Sequence, residues 1–163
     1  CDNRLTLTAP EVRTLIENSI ADVIREEYPE ADVIMGTATA GIAHAAIAAH
    51  ILGLPMGYVR SGAKDHGRGN QIEGQLNKGD KVVIVEDLIS TGGSVIDAAT
   101  ALRNAGAEVL GIVSIFTYGM QKGLDRLAQE NLKNISLTNF DVISEVAVDE
   151  SYIRPEDRER LIT

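Results

Sequence analysis

Cysteine is nearly missing from this chain: Cys1 is the only one. No internal disulfide is possible, and several thiolates cannot gather around a metal. The three histidines, His44, His50 and His66, are too dispersed in sequence to read as one ligand set. No apolar run approaches the ~20 residues of a membrane span. Basic residues are outnumbered, 15 Lys and Arg against 24 Asp and Glu, for a net charge of −9. Nonspecific nucleic-acid binding needs a Lys/Arg surface, so that function class is disfavoured. A small anion held by a local basic cluster is not. The expectations are no membrane and no nucleic acid. A cytoplasmic location is expected too, because a lone cysteine suits a reducing compartment.

Repeats, low-complexity tracts and a second domain are also missing. The 163 residues suit a single domain over 1–163, which at that size buries ~70% of its unfolded surface. No signal-peptide pattern opens the sequence as given. It starts at Cys1 rather than Met, and "CDNRLTLTAP" reads like the middle of a chain. We therefore expect the natural N-terminus to lie upstream.

What is present alternates. "TAPEVRTLIENSIADVIREEY" predicts a helix, with Val12, Leu15, Ile16, Ser19, Ile20, Val23 and Ile24 at helical spacing. Pro10 and Glu11 suit its first turn. "ADVIMG" reads as a strand, "IAHAAIAAHIL" as a helix that Gly53 ends, and "PMGYVR" as a strand. Residues 61–80 are polar and Gly-rich, with a hairpin expected in their latter part. A strand over 81–86, a helix over 93–105, the strand "EVLGIVSIFTY", a helix over 120–131, a short strand "NISL" and a helical region over 139–162 follow. Strands alternating with helices predict an α/β fold, an open and mostly parallel sheet flanked by helices. Near-continuous apolar strands such as "VVIV" fit burial on both faces. Ligands of such sheets sit beyond the carboxyl ends of the strands.

The chemistry-bearing stretches fall at those ends. "VVIVEDLISTGGS" delivers Glu86 and Asp87 beside Ser90, Thr91, Gly92, Gly93 and Ser94. Amides of a tight glycine turn at a helix start make an anion site. The carboxylates would repel that anion but would accept hydrogen bonds from sugar hydroxyls one ribose-length away. The plainer alternative is a helix start with Ser94 as N-cap and Asp97 completing a capping box. No lysine follows the glycines and G-x-G-x-x-G is absent, so this is neither a Walker loop nor a dinucleotide fingerprint. "GTATAG", with Thr37, Ala38, Thr39, Ala40 and Gly41, lets backbone amides approach a ligand or merely packs a strand on a helix. "YVRSGAKDHGRGNQIEG" places Arg60, Lys64, His66 and Arg68 among glycines, the composition of a closing lid over a polyanion or of a solvated loop. Thr117 and Tyr118 end "SIFTY" at the same edge, where Phe116 reads as core. His44 and His50 read as structural.

With these residues in view, "VVIVEDLISTGGS" resembles the phosphoribosyl-diphosphate signature of the type I phosphoribosyltransferases. "YVRSGAKDHGRGNQIEG", "CDNRLTL", "GTATAGIAHA" and "VSIFTY" resemble the orotate phosphoribosyltransferases, especially of Gram-positive bacteria. The resemblance implies that orotate and phosphoribosyl diphosphate give orotidine 5′-phosphate and diphosphate, with Mg²⁺, in pyrimidine (UMP) biosynthesis. It implies that Glu86, Asp87, Leu88, Ile89, Ser90, Thr91, Gly92, Gly93 and Ser94 bind the ribose 5-phosphate, the two acids taking the hydroxyls. Arg60, Lys64 and His66 would contact the diphosphate beside Thr37–Gly41. Lys64, Asp65 and His66 would carry catalysis, and Ser90 would contact orotate. It implies a homodimer whose loop enters the neighbouring site, a metal held mainly through substrate and water, and an upstream segment covering the base. Two differences from the family stand out. Ser61 replaces a second basic residue found after the loop arginine in some members, and Thr117 and Tyr118 stand where others place an arginine for the orotate carboxylate. The alternatives are a phosphoribosyltransferase for another base and a non-catalytic sensor of phosphoribosyl diphosphate.

Overall fold

A computed structural model of the chain describes residues 2–62, 71–150 and 154–162. After a short 3-10 helix, Asn3–Thr8, come α1 (Pro10–Glu27), β1 (Val33–Thr37), α2 (Ala40–Leu52) and β2 (Met56–Val59). Then follow β3 (Ile72–Glu73), β4 (Lys81–Ile89), α3 (Gly93–Asn104), β5 (Glu108–Thr117), α4 (Gln121–Gln129), β6 (Asn134–Asn139), α5 (Phe140–Asp149) and α6 (Pro155–Ile162).

The sheet order is β3-β2-β1-β4-β5-β6. Every neighbouring pair is parallel except β2 with β3. Alternation along β4 explains its unbroken apolar run. Val82 and Ile84 join a core with Val95, Ala99 and Leu102 of α3 and Leu127 of α4. Val83 and Val85 join Ile20 and Ile24 of α1 and Ala45 and Ala48 of α2 on the other face. A strand buried on both faces has no polar side to show. From β1 the chain crosses to β2 on one side; from β4 it crosses to β5 on the other. The diverging connections open a crevice beyond the carboxyl ends of β1 and β4.

Several boundaries depart from expectation. β4 continues to Ile89 rather than stopping at Glu86, because Leu88 and Ile89 still pair with Phe116 and Thr117 of β5. Ladder pairing therefore carries two carboxylates inside a strand. The latter part of 61–80 forms no hairpin of its own among the described residues. Ile72 and Glu73 pair back on Val59 and Tyr58 instead. The region 139–162 divides into α5 and α6, and Asn139 belongs to β6, its side chain accepting from Val142 N at 2.9 Å to start α5. On α1 the buried stripe is Glu17, Ile20, Ala21 and Ile24, while Val12 and Leu15 are exposed. Gly53 ends α2 in the left-handed region at φ 68°, as expected.

Candidate active site at the crevice between β1 and β4

Two adjacent carboxylates form the floor of the crevice. Glu86 and Asp87 are only 8% and 9% exposed. Glu86 Oε1 accepts a hydrogen bond from Asp87 N at 2.8 Å. Burial pushes the Glu86 carboxyl above its ordinary range. A hydrogen bond from Thr37 and backbone N–H groups pull it partly back, while the Asp87 charge adds to the rise. Asp87 Oδ1 is buried with no hydrogen-bond partner. A buried acceptor left unsatisfied costs about 1–3 kcal/mol, and Asp87 lines a cavity of about 340 Å³. The main chain of Asp87 is held from far away in sequence: Asn3 Nδ2 donates to its carbonyl at 3.2 Å, across 84 positions.

Beyond β4 the chain turns through Ser90 and Thr91 to Gly92, whose φ of 82° requires the left-handed region that glycine tolerates. Gly92 is the N-cap of α3. Ser94 is not the cap: it lies within the first turn, and no side-chain cap bond and no capping box with Asp97 form. The first turn of α3 carries no acid either. Its leading amides thus have no side-chain acceptor, and the positive end of the dipole faces a cavity of about 100 Å³ lined by Glu86 and by Leu88–Val95. From behind, Arg126 of α4 donates to Thr91 O at 3.5 Å.

The "TATAG" residues end β1 and begin α2. Thr37 is the last strand residue, Ala38 and Thr39 make the turn, and Ala40 and Gly41 lie in the first turn of α2. The Ala38–Thr39 peptide is cis. A Cβ on Gly41 would stand 2.6 Å from Thr37 Oγ1 and 2.7 Å from Val85 O, so only glycine lets α2 start this close to β4. Arg60 follows β2 and lines a cavity of about 120 Å³ with Thr37, Ala38, Ser94 and Asp97. It pairs with Glu73 at 2.6 Å, both side chains well exposed. Such a pair is worth ~0–1 kcal/mol and is readily exchanged for another anion. Lys64, Asp65 and His66 lie outside the described residues.

Thr117 and Tyr118 line a separate cavity of about 700 Å³ with Asn139, Phe140 and Asp141, a wall without a cation among the described residues. Phe116 is core, at 1% exposure. His44 is buried and paired with Glu17 of α1, away from these cavities. Among the described residues no group of three or more His, Cys, Asp or Glu is placed to hold a metal. Two neighbouring acids suit a magnesium ion that keeps substrate oxygens and water as most of its shell. Sequence reasoning missed Asn3, Arg4 and Arg126. All three take their places through tertiary contact, Asn3 and Arg4 from the "CDNRLTL" stretch, to which sequence reasoning assigns no role, and Arg126 from α4 behind Thr91.

Comparison with known proteins places this chain among the phosphoribosyltransferases. The family model described as "Phosphoribosyl transferase domain" matches residues 6–151. Within that class the chain belongs to the orotate phosphoribosyltransferases. It is 59% identical to the orotate phosphoribosyltransferase of Listeria innocua over 96% of this chain and 75% of that protein. It is 55% identical to that of Bacillus subtilis over 100% of this chain and 76% of that protein. Among solved structures, the orotate phosphoribosyltransferase of Aeropyrum pernix superposes with a TM-score of 0.81 at 30% identity, covering 88% of this chain and 80% of that one.

Proposed function

We propose that the crevice transfers a phosphoribosyl group from phosphoribosyl diphosphate to orotate, giving orotidine 5′-phosphate and diphosphate for pyrimidine synthesis. The observation that carries this reading is Asp87, a cavity-lining acid whose buried Oδ1 has no hydrogen-bond partner. It is an acceptor waiting for a donor, and a ribose diol supplies two. The amides and hydroxyls of Ser90–Ser94 take the 5-phosphate. Ser90 also faces the orotate ring. The turn at Thr37–Gly41, with Arg60, takes the diphosphate.

Bond breaking at the anomeric carbon develops positive charge on the sugar and negative charge on the leaving diphosphate. Orotate brings an acidic ring nitrogen, so placement and charge stabilisation matter more than a strong base. Glu86 and Asp87 fix the sugar and lie on the side where positive charge grows. Arg60, with Lys64 and His66 arriving on the loop, neutralises the leaving group, and Asp65 or His66 passes it a proton. Glu86 and Asp87 would hold a magnesium ion through its waters, and the ion would supply charge neutralisation for the leaving diphosphate. The reading includes a homodimer whose loops enter each other's sites, in the cytoplasm.

The test is formation of orotidine 5′-phosphate, followed by loss of orotate absorbance, in wild type and Lys64→Ala. We expect turnover in the first, and a kcat lower by roughly a hundredfold or more in the second. Wild-type turnover of adenine but not orotate would favour another base instead.

A further inference from the structure

The cavity beside Glu86 and Asp87 has a third wall, the 3-10 helix that bears Asp2, Asn3 and Arg4. We propose that Arg4 is the specificity-determining residue that takes the carboxylate of the base, an inference that rests on the phosphoribosyl-transfer reading above.

Anchoring comes first. Asn3 is 8% exposed, and its side-chain amide donates to the carbonyl of Asp87. The same turn is closed by Thr6 Oγ1 donating to Asn3 O at 2.5 Å, and by Arg4 N donating to Asp2 Oδ1 at 3.2 Å. The backbone of Arg4 is thus fixed to the strand that carries the sugar acids.

Charge comes second. Arg4 is the only cation among the described residues lining this cavity, which otherwise presents Asp2, Glu86 and Asp87. Its guanidinium makes no ion pair among the described residues. Arg60, by contrast, serves the neighbouring cavity and is paired with Glu73. Among the described residues, the wall beyond β5 offers Asp141 and no cation. Of the three anionic groups on the two substrates, the 5-phosphate has the α3 turn and the diphosphate has the β1 turn with Arg60. The base carboxylate is left, and it must sit beside the sugar it will join. A guanidinium fork matches a carboxylate with two parallel hydrogen bonds, which a point-charge ammonium does not.

The full-length enzyme and its Arg4→Met and Arg4→Lys variants test this by steady-state kinetics, each substrate varied with the other saturating. Arg4 is exposed, so both variants should fold. For Arg4→Met we expect the KM for orotate to rise roughly tenfold to a hundredfold, with the KM for phosphoribosyl diphosphate unchanged. Arg4→Lys should recover part of the loss. An equal rise in both KM values, a rise for phosphoribosyl diphosphate alone, or no change overturns the assignment of Arg4 while leaving the wider reading intact. A wild type that binds no phosphoribosyl diphosphate by calorimetry overturns the reading beneath it.

Discussion

Among the described residues two carboxylate sites are buried, and they are built to opposite rules. Glu17 lies between α1 and α2 at 1% exposure and meets His44, also 1% exposed. Glu86 lies at the end of β4, and its nearest charged neighbour is Asp87, a second acid. Burial raises both glutamates, Glu17 against the opposing pull of His44, Glu86 with Asp87 adding to the rise. The first arrangement is complementary and closed, and borders none of the cavities described above. The second is self-repelling and opens on space. A fold that needed charge only to hold itself together would pair it, as it does at Glu17. An oxygen without a partner occurs at both sites, Glu17 Oε2 and Asp87 Oδ1, so it is the like charges side by side on a cavity wall that mark a site for something arriving from outside.

The comparison breaks if Glu17 proves dispensable to folding. Glu17→Ala leaves His44 buried without its partner, so unfolding in urea should show a loss of roughly 3–5 kcal/mol. Activity per folded molecule should hold. Replacing both residues together, Glu17→Met with His44→Leu, should cost far less, since no polar group is then stranded. Asp87→Asn addresses the other site. It should leave folding intact and weaken phosphoribosyl diphosphate by roughly ten- to a hundredfold in calorimetry, the scale of a charged hydrogen bond. A variant that binds like wild type would place the sugar elsewhere.

Glu86→Gln sharpens the contrast by sign. The folded state raises the Glu86 carboxyl above its unfolded value, so it binds the proton more tightly than the unfolded chain does. Stability from this group is present below the ordinary carboxylate range, about pH 4, and is lost as pH rises through the raised value. The glutamine variant has no charge to bury. It should therefore melt higher than the ligand-free wild type at neutral pH, and the gap should close as pH falls to about 4. Weaker sugar binding should accompany that gain. A variant that melts lower at pH 7 would mean the charge is stabilised in the fold after all.

Much of this was readable beforehand, for definite reasons. The sheet was legible because β4 and β5 are buried on both faces and so write long apolar runs. The phosphate corner was legible because acids followed by a glycine turn have few structural uses. The extension of β4 past Glu86 was not, since pairing with Phe116 and Thr117 decides it. The helix start at residue 93 was legible, and the plainer alternative of a Ser94 cap falls because Gly92, in the left-handed region, is the N-cap. Glu17 carried a signal that went unread. It shares the stripe of Ile20, Ala21 and Ile24, and an acid at an apolar-face position calls for a buried partner. Asn3 could not be found from sequence, because nothing local joins it to a residue 84 positions away.

The most direct measurement is a crystal structure with ribose 5-phosphate and magnesium bound. The sugar hydroxyls should lie within hydrogen-bond distance of Glu86 and of Asp87 Oδ1, with the phosphate seated on the amides of Thr91–Ser94. A sugar bound away from β4, or a phosphate held by surface residues with the α3 turn vacant, would contradict the account.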